Sequence, residues 1–211
     1  MDIWNAITRL GDSSLLLPVA VFIFFWLLLR REKAKAGAWL LLFGLAASLV
    51  VASKLAFMGW GIGIPEWDFT GISGHSMMAA SVLPVLAALL SRSRRLALVL
   101  AGFGALLAVL VGVSRVAIGV HSPAEVYAGL AVGLAASASC LALVRGSLPQ
   151  LPPLLLGLVL TLSAAQALTG TRAPTHQMLE RIAAELAGRE HPFKRGQWAN
   201  PAPAVPTRPD V

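Results

Sequence analysis

Six long apolar stretches leave this chain few ways to fold. They run at about 13–29, 36–58, 74–91, 96–114, 123–144 and 149–169. Each is close to the roughly 20 residues that a helix needs to cross a hydrocarbon core of about 30 Å. In that medium every backbone N–H and C=O must be paired within the protein, which leaves helices or closed barrels. The expectation is therefore all-α: a six-span transmembrane helical bundle with an outward-facing site. Charged residues make up 13% of the 211 residues, against about 25% in a soluble domain. The first stretch is short and holds Pro18, and the third opens on His75 flanked by serines.

The connections set the orientation. Loop 30–35, RREKAK, carries four basic residues, and loop 91–95, SRSRR, carries three. Loop 59–73 has no Lys or Arg but has Glu66 and Asp68. The positive-inside rule places the two basic loops in the cytoplasm. Both termini, loop 59–73 and the stretch 114–122 then face outward. The net charge of +7 is concentrated in short loops and in the tail. It fits anionic lipid headgroups rather than nucleic acid. In a Gram-negative cell this is the inner membrane, with the outward face periplasmic.

Three regions follow. Residues 1–12 read as an interfacial segment with Trp4, Ile7 and Leu10 on one side. Residues 13–169 form the membrane domain. Residues 170–211 are an outward tail, in which 174–187 place Met178, Leu179, Ile182 and Leu186 at helical spacing before Gly188, a C-cap. The end, from 199, is proline-rich. Trp60 and Trp67 read as belt residues. Gly102, Gly104, Gly112, Gly129 and Gly133 read as close-packing positions between helices. Cys140 has no partner for an internal disulfide. His176 and His191 are given no role.

Ionisable groups at the ends of spans are functional candidates. Four consecutive spans deliver them to the outward face: Lys54 ends the second, Ser73-Gly74-His75 opens the third, Ser114-Arg115 closes the fourth, and His121 and Glu125 open the fifth. Two cations, a hydroxyl and a helix N-terminus suit an oxyanion with several oxygens. Arg115 can grip two of them. One imidazole can attack phosphorus and the other can protonate a leaving oxygen. Glu125 follows His121 by one helical turn. It can orient that ring, close a capping box with Ser122 ahead of Pro123, or do both. The carboxylates are too few for a hard-metal cage, so no metal or cofactor is expected.

These pieces resemble the signature of the type 2 phosphatidic acid phosphatase family, membrane lipid phosphatases related to vanadium haloperoxidases. That pattern is K-x6-R-P, then P-S-G-H, then S-R-x5-H-x3-D. SRVAIGVHSPAE matches the third piece at Ser114, Arg115 and His121, with Glu125 in place of Asp. ISGH matches the second at Ser73, Gly74 and His75, with Ile72 in place of Pro. Lys54 matches the first, but Gly61 and Ile62 replace its Arg and Pro. The resemblance covers about residues 36–145. It implies that His121 is the nucleophile and His75 the general acid, that Glu125 orients His121, and that Lys54, Ser73, Gly74 and Arg115 hold phosphate. It implies hydrolysis of a lipid phosphate monoester or pyrophosphate through a phosphohistidine, without metal. Phosphatidic acid, phosphatidylglycerophosphate and undecaprenyl pyrophosphate are the candidate substrates. Arg172, or Arg9, is the proposed replacement for the absent arginine. Two other classes remain on the sequence: a non-catalytic lipid-binding or transport protein, and a b-haem electron-transfer protein with His75 and His121 as axial ligands.

Overall fold

The computed structural model describes residues 3–143, 149–152, 154–158, 161, 165 and 175–198. These residues include seven α-helices, α1 (Ile3–Arg9), α2 (Ser13–Leu29), α3 (Lys33–Trp60), α4 (Gly74–Ala88), α5 (Arg94–Ala117), α6 (Pro123–Leu143) and α7 (Thr175–Leu186), and a short 3-10 helix, Pro65–Trp67. Asp12 caps α2 by accepting from the Ser14 N–H at 2.9 Å and the Ser14 hydroxyl at 2.8 Å, which pairs an otherwise free N-terminal donor. Gly61 closes α3 in the left-handed region, at φ 67°. The 61 N–H donates to Phe57 O and the 62 N–H to Ala56 O, so the last carbonyls of α3 are satisfied.

Among the described residues four helical stretches are long and apolar enough to cross a membrane: Ile3–Leu29 (α1 and α2 together), α3, α5 and α6. They display large apolar side chains outward, among them Leu41, Leu45, Phe103 and Leu107, as a surface solvated by lipid tails requires. The expected third span, 74–91, is shorter than predicted, because α4 has 15 residues. That is about 22 Å of helix. Its side chains from Ser76 to Ala88 are nearly all buried, packed against α2, α3, α5 and α6. Walled in by protein, α4 need not match the thickness of the bilayer. The expected sixth span, 149–169, lies mostly outside the described residues. The Leu151 N–H donates to Leu89 O at the end of the bundle that carries the basic loops, whereas α7 packs on the far end of α3.

Small residues let the helix backbones meet. A Cβ at Gly129 would stand 2.6 Å from Ser73 O, at Gly133 2.5 Å from Met77 O, and at Gly104 2.6 Å from Leu83 O. Gly112 meets the Val126 side chain in the same way. Gly102 is the exception. A Cβ there would meet nothing within 4 Å, so its expected packing role is not found. Trp60 and Trp67 are exposed. Cys140 is buried and free. In α1, Trp4 and Ile7 are half-buried, while Leu10 is exposed in the turn that follows. The tail helix docks through Leu179 and Ala183 against Phe57 and Met58. Met178, Ile182 and Leu186 point away from that contact and are exposed. The predicted stripe is therefore split between two faces. Gly188 (φ 61°) ends the helix as expected.

Candidate functional site

The alternation of helix directions brings the ends of α3 and α5 and the starts of α2, α4 and α6 to one end of the bundle. A cavity of about 760 Å³ opens there. Lys54, Gly74, His75, Arg115 and His121 all line it, so residues up to 67 positions apart converge. Ser73 and Glu125 lie behind its wall, fully buried. The N-terminal end of α4 meets the cavity through Gly74 and His75, and its partial positive charge suits an anion.

Glu125 is the best-connected group. Its Oε1 accepts from the Thr70 N–H at 2.8 Å and the Thr70 hydroxyl at 2.5 Å. Its Oε2 lies 2.6 Å from His121 Nδ1 and accepts from the Ser122 N–H at 3.1 Å. The Glu125 N–H returns a bond to Ser122 Oγ at 3.3 Å, completing a capping box. Capping and contact with His121 therefore coexist. With the carboxylate on Nδ1, the proton belongs on Nδ1 and the lone pair of Nε2 is left free. Burial pushes the His121 pKa down. The Glu125 hydrogen bond and charge oppose that shift, and Arg115 and Lys54 reinforce it; the net displacement is downward. Burial thus favours the uncharged ring.

Arg115 Nη1 donates to Thr8 Oγ1 at 3.0 Å, which ties α1 to the site. Its Nε is buried without a hydrogen-bond partner among the described residues. An unpaired buried donor is costly, and it suits an incoming oxyanion. Lys54 is held beneath the outer loop, where Gly71 packs on its stem. The Ile72 N–H donates to Ser53 Oγ at 3.0 Å. The Ser73 N–H donates to Glu125 O, and its hydroxyl accepts from Ser76 at 3.0 Å. Ser73 thus fastens α4 to α6 instead of lining the cavity.

Four contributors were not anticipated. Asp12 lies 4.0 Å from His75 Nε2, a placement that needs the α1–α2 turn to fold over α4. Thr70 holds Glu125 from the loop. Arg195 and Lys194, in the tail, line the cavity. Arg195 Nη2 donates to Glu125 Oε2 at 2.7 Å. Arg172 falls outside the described residues, and Arg9 is not among the residues lining the cavity. Gly61, where the family arginine is absent, caps α3 with a left-handed backbone that disfavours any side chain. Among the described residues there is no group of three or more His, Cys, Asp or Glu side chains able to hold a metal.

The PAP2 superfamily model matches residues 54–148, the segment that holds every candidate site residue from Lys54 to Glu125. An uncharacterized 22.5 kDa protein in the cps region of Klebsiella pneumoniae is 41% identical over 201 residues, covering 91% of this chain and 95% of that protein. Phosphatidylglycerophosphatase B of Bacillus subtilis is 35% identical over 144 residues, covering 63% of this chain and 70% of that enzyme. No solved structure matches.

Proposed function

The chain belongs to the PAP2 superfamily, and from that premise we propose that it is a membrane lipid phosphatase acting through a phosphohistidine on His121. The substrate is a lipid phosphate monoester or pyrophosphate. The observation that carries this reading is the His121–Glu125 pair, 2.6 Å apart, opening on a cavity that Lys54 and Arg115 also line.

The reaction proceeds in two displacements. His121 Nε2 attacks phosphorus while the bond from phosphorus to the lipid oxygen breaks, and His75 delivers a proton to that oxygen. The phosphorylated ring is cationic, and Glu125 at Nδ1 stabilises it. Water then attacks phosphorus, His75 takes its proton, and the P–N bond breaks to release phosphate. Lys54, Arg115 and the N–H groups at the start of α4 offset the charge on the phosphoryl oxygens. Asp12, 4.0 Å from His75 Nε2, is the carboxylate placed to face the ring that carries this proton. These groups supply the chemistry without a metal ion.

The cavity continues along apolar side chains. Leu17 of α2 and Val50 and Val51 of α3 line it, with Met77 and Met78 of α4. Leu17 and Val51 are also exposed on the outside of the bundle. Such a groove between α2 and α3 suits a lipid chain that enters from the bilayer while its headgroup meets the cations. We place the protein in a bacterial cytoplasmic membrane, with the site on the outward face.

A phosphate-release screen tests the reading. Purified protein with EDTA is offered phosphatidic acid, phosphatidylglycerophosphate and undecaprenyl pyrophosphate. Release from at least one, abolished by His121→Ala in a folded variant, is the expected result. No release from any of the three overturns the reading.

A further inference from the structure

The C-terminal tail carries a cation into the heart of the site. α7 lays Ala183 against Gly59 of α3. Beyond it the Phe193 N–H donates to Met58 O at 2.7 Å, and Trp198 stacks edge-on against Phe57 with ring centres 5.3 Å apart. Between these anchors the chain makes a tight turn. The Gln197 N–H donates to Lys194 O at 2.9 Å, and Gly196 takes φ 87°. A left-handed residue at the third position is what such a turn requires. The turn projects Arg195 at the corner.

The Arg195 fork joins three segments. Nη2 donates to Glu125 Oε2 at 2.7 Å and reaches Thr70 Oγ1 at 3.4 Å. Nη1 donates to Asp68 O at 2.9 Å and to the Asp68 carboxylate. Arg195 and His121 Nδ1 thus share a single carboxylate oxygen. Glutamate stands here where the family pattern has aspartate, which adds one rotatable bond between backbone and carboxylate. A fixed fork removes that freedom and drains negative charge from the oxygen facing His121.

We propose that Arg195 is a positioning residue that clamps Glu125 against His121 and makes the tail a working part of the site. The inference rests on the reading of His121 as the phosphoryl acceptor. It assigns the second layer of cationic control to the tail, since Gly61 cannot contribute it.

His121 faces Glu125 from α6, Arg115 from α5, Lys54 from α3 and His75 from α4, and the shared cavity is also lined by Glu180 of α7 and by Lys194 and Arg195 of the tail. Removing only Arg195 leaves the other groups in place and returns charge to Glu125, which favours the protonated imidazole. The test compares Arg195→Ala, Arg195→Gln and Arg195→Lys in full-length protein. Two readouts are used: the pH profile of turnover on a lipid phosphate, and the titration of ¹⁵N-labelled His121 in detergent micelles.

For the Ala and Gln variants, kcat falls about tenfold or more with KM nearly unchanged. The acid limb and the His121 titration both move up by about 0.5 pH unit or more. Lys restores the limb, because it keeps the charge, and only part of kcat, because it lacks the fork. Gln retains the stem packing and carries the test if Ala does not fold. The micelle titration needs no turnover, so inactive wild-type protein would sink the proposed function while leaving this inference still tested. An unmoved His121 titration, with kcat within twofold of wild type, overturns the clamp.

Discussion

Glu125 Oε2 sits between an imidazole, a guanidinium and a backbone N–H. Replacing the oxygen by an amide keeps the shape and removes the charge. Glu125→Gln is expected to lower turnover about a hundredfold or more, because the ring loses the partner that fixes its tautomer. It also loses a charge-assisted bond to Arg195, which costs about 1–3 kcal/mol of stability and is read from thermal unfolding in detergent. Turnover near wild type would reduce Glu125 to a helix cap. The pH profile follows from His121. In the proposed mechanism its neutral form is the nucleophile, and burial shifts its pKa down from the usual value of about 6.5. Free-enzyme kcat/KM is therefore expected to persist at that pH and to fall only below it. An acid limb above 6.5 would contradict this. The tail arginine was not legible in the sequence. FKRGQW carries no signature beyond a basic pair between aromatic residues, and its partner Glu125 is 70 positions away. The His121–Glu125 contact was legible because it is local: the two residues share one helical turn.

The helices were read well where the apolar run itself sets their length. The predicted 13–29 coincides with α2, and 36–58, 96–114 and 123–144 fall within a few residues of α3, α5 and α6. The start of α4 was marked by its polar opening. Its end was not, because burial inside the bundle and not bilayer thickness decides where it stops. The packing glycines separate in the same way. Gly129 and Gly102 look alike in sequence and differ only in what stands opposite them. Gly129→Ala forces a Cβ to 2.6 Å from Ser73 O, prising the start of α4 from α6 and parting His75 from His121. A loss of about 1–3 kcal/mol and a fall in turnover are expected, with Gly102→Ala close to wild type in both. Equal behaviour of the two variants would show that the α4–α6 contact is not as tight as described.

Across the whole molecule, the basic loops and the cavity lie at opposite ends of the bundle. The positive-inside rule then predicts the cavity outside. The labelling sites should suit the fold. Gly63 packs against Phe69 O and Trp198, so Trp67, 64% exposed, is the better outer position. In intact cells, with Cys140 replaced by alanine, Trp67→Cys should react with an impermeant thiol reagent and Arg94→Cys should not. The reverse pattern would invert the topology.

The central claim is that phosphorus passes through a covalent bond to His121. Purified protein is mixed with a lipid whose terminal phosphate is radiolabelled, quenched in base within the first turnover to preserve the acid-labile P–N bond, and digested for mapping. The account predicts label on the peptide that contains His121, acid-labile and base-stable, and none in His121→Ala. Rapid phosphate release from the His121→Ala variant, or label mapping to another residue, would contradict it.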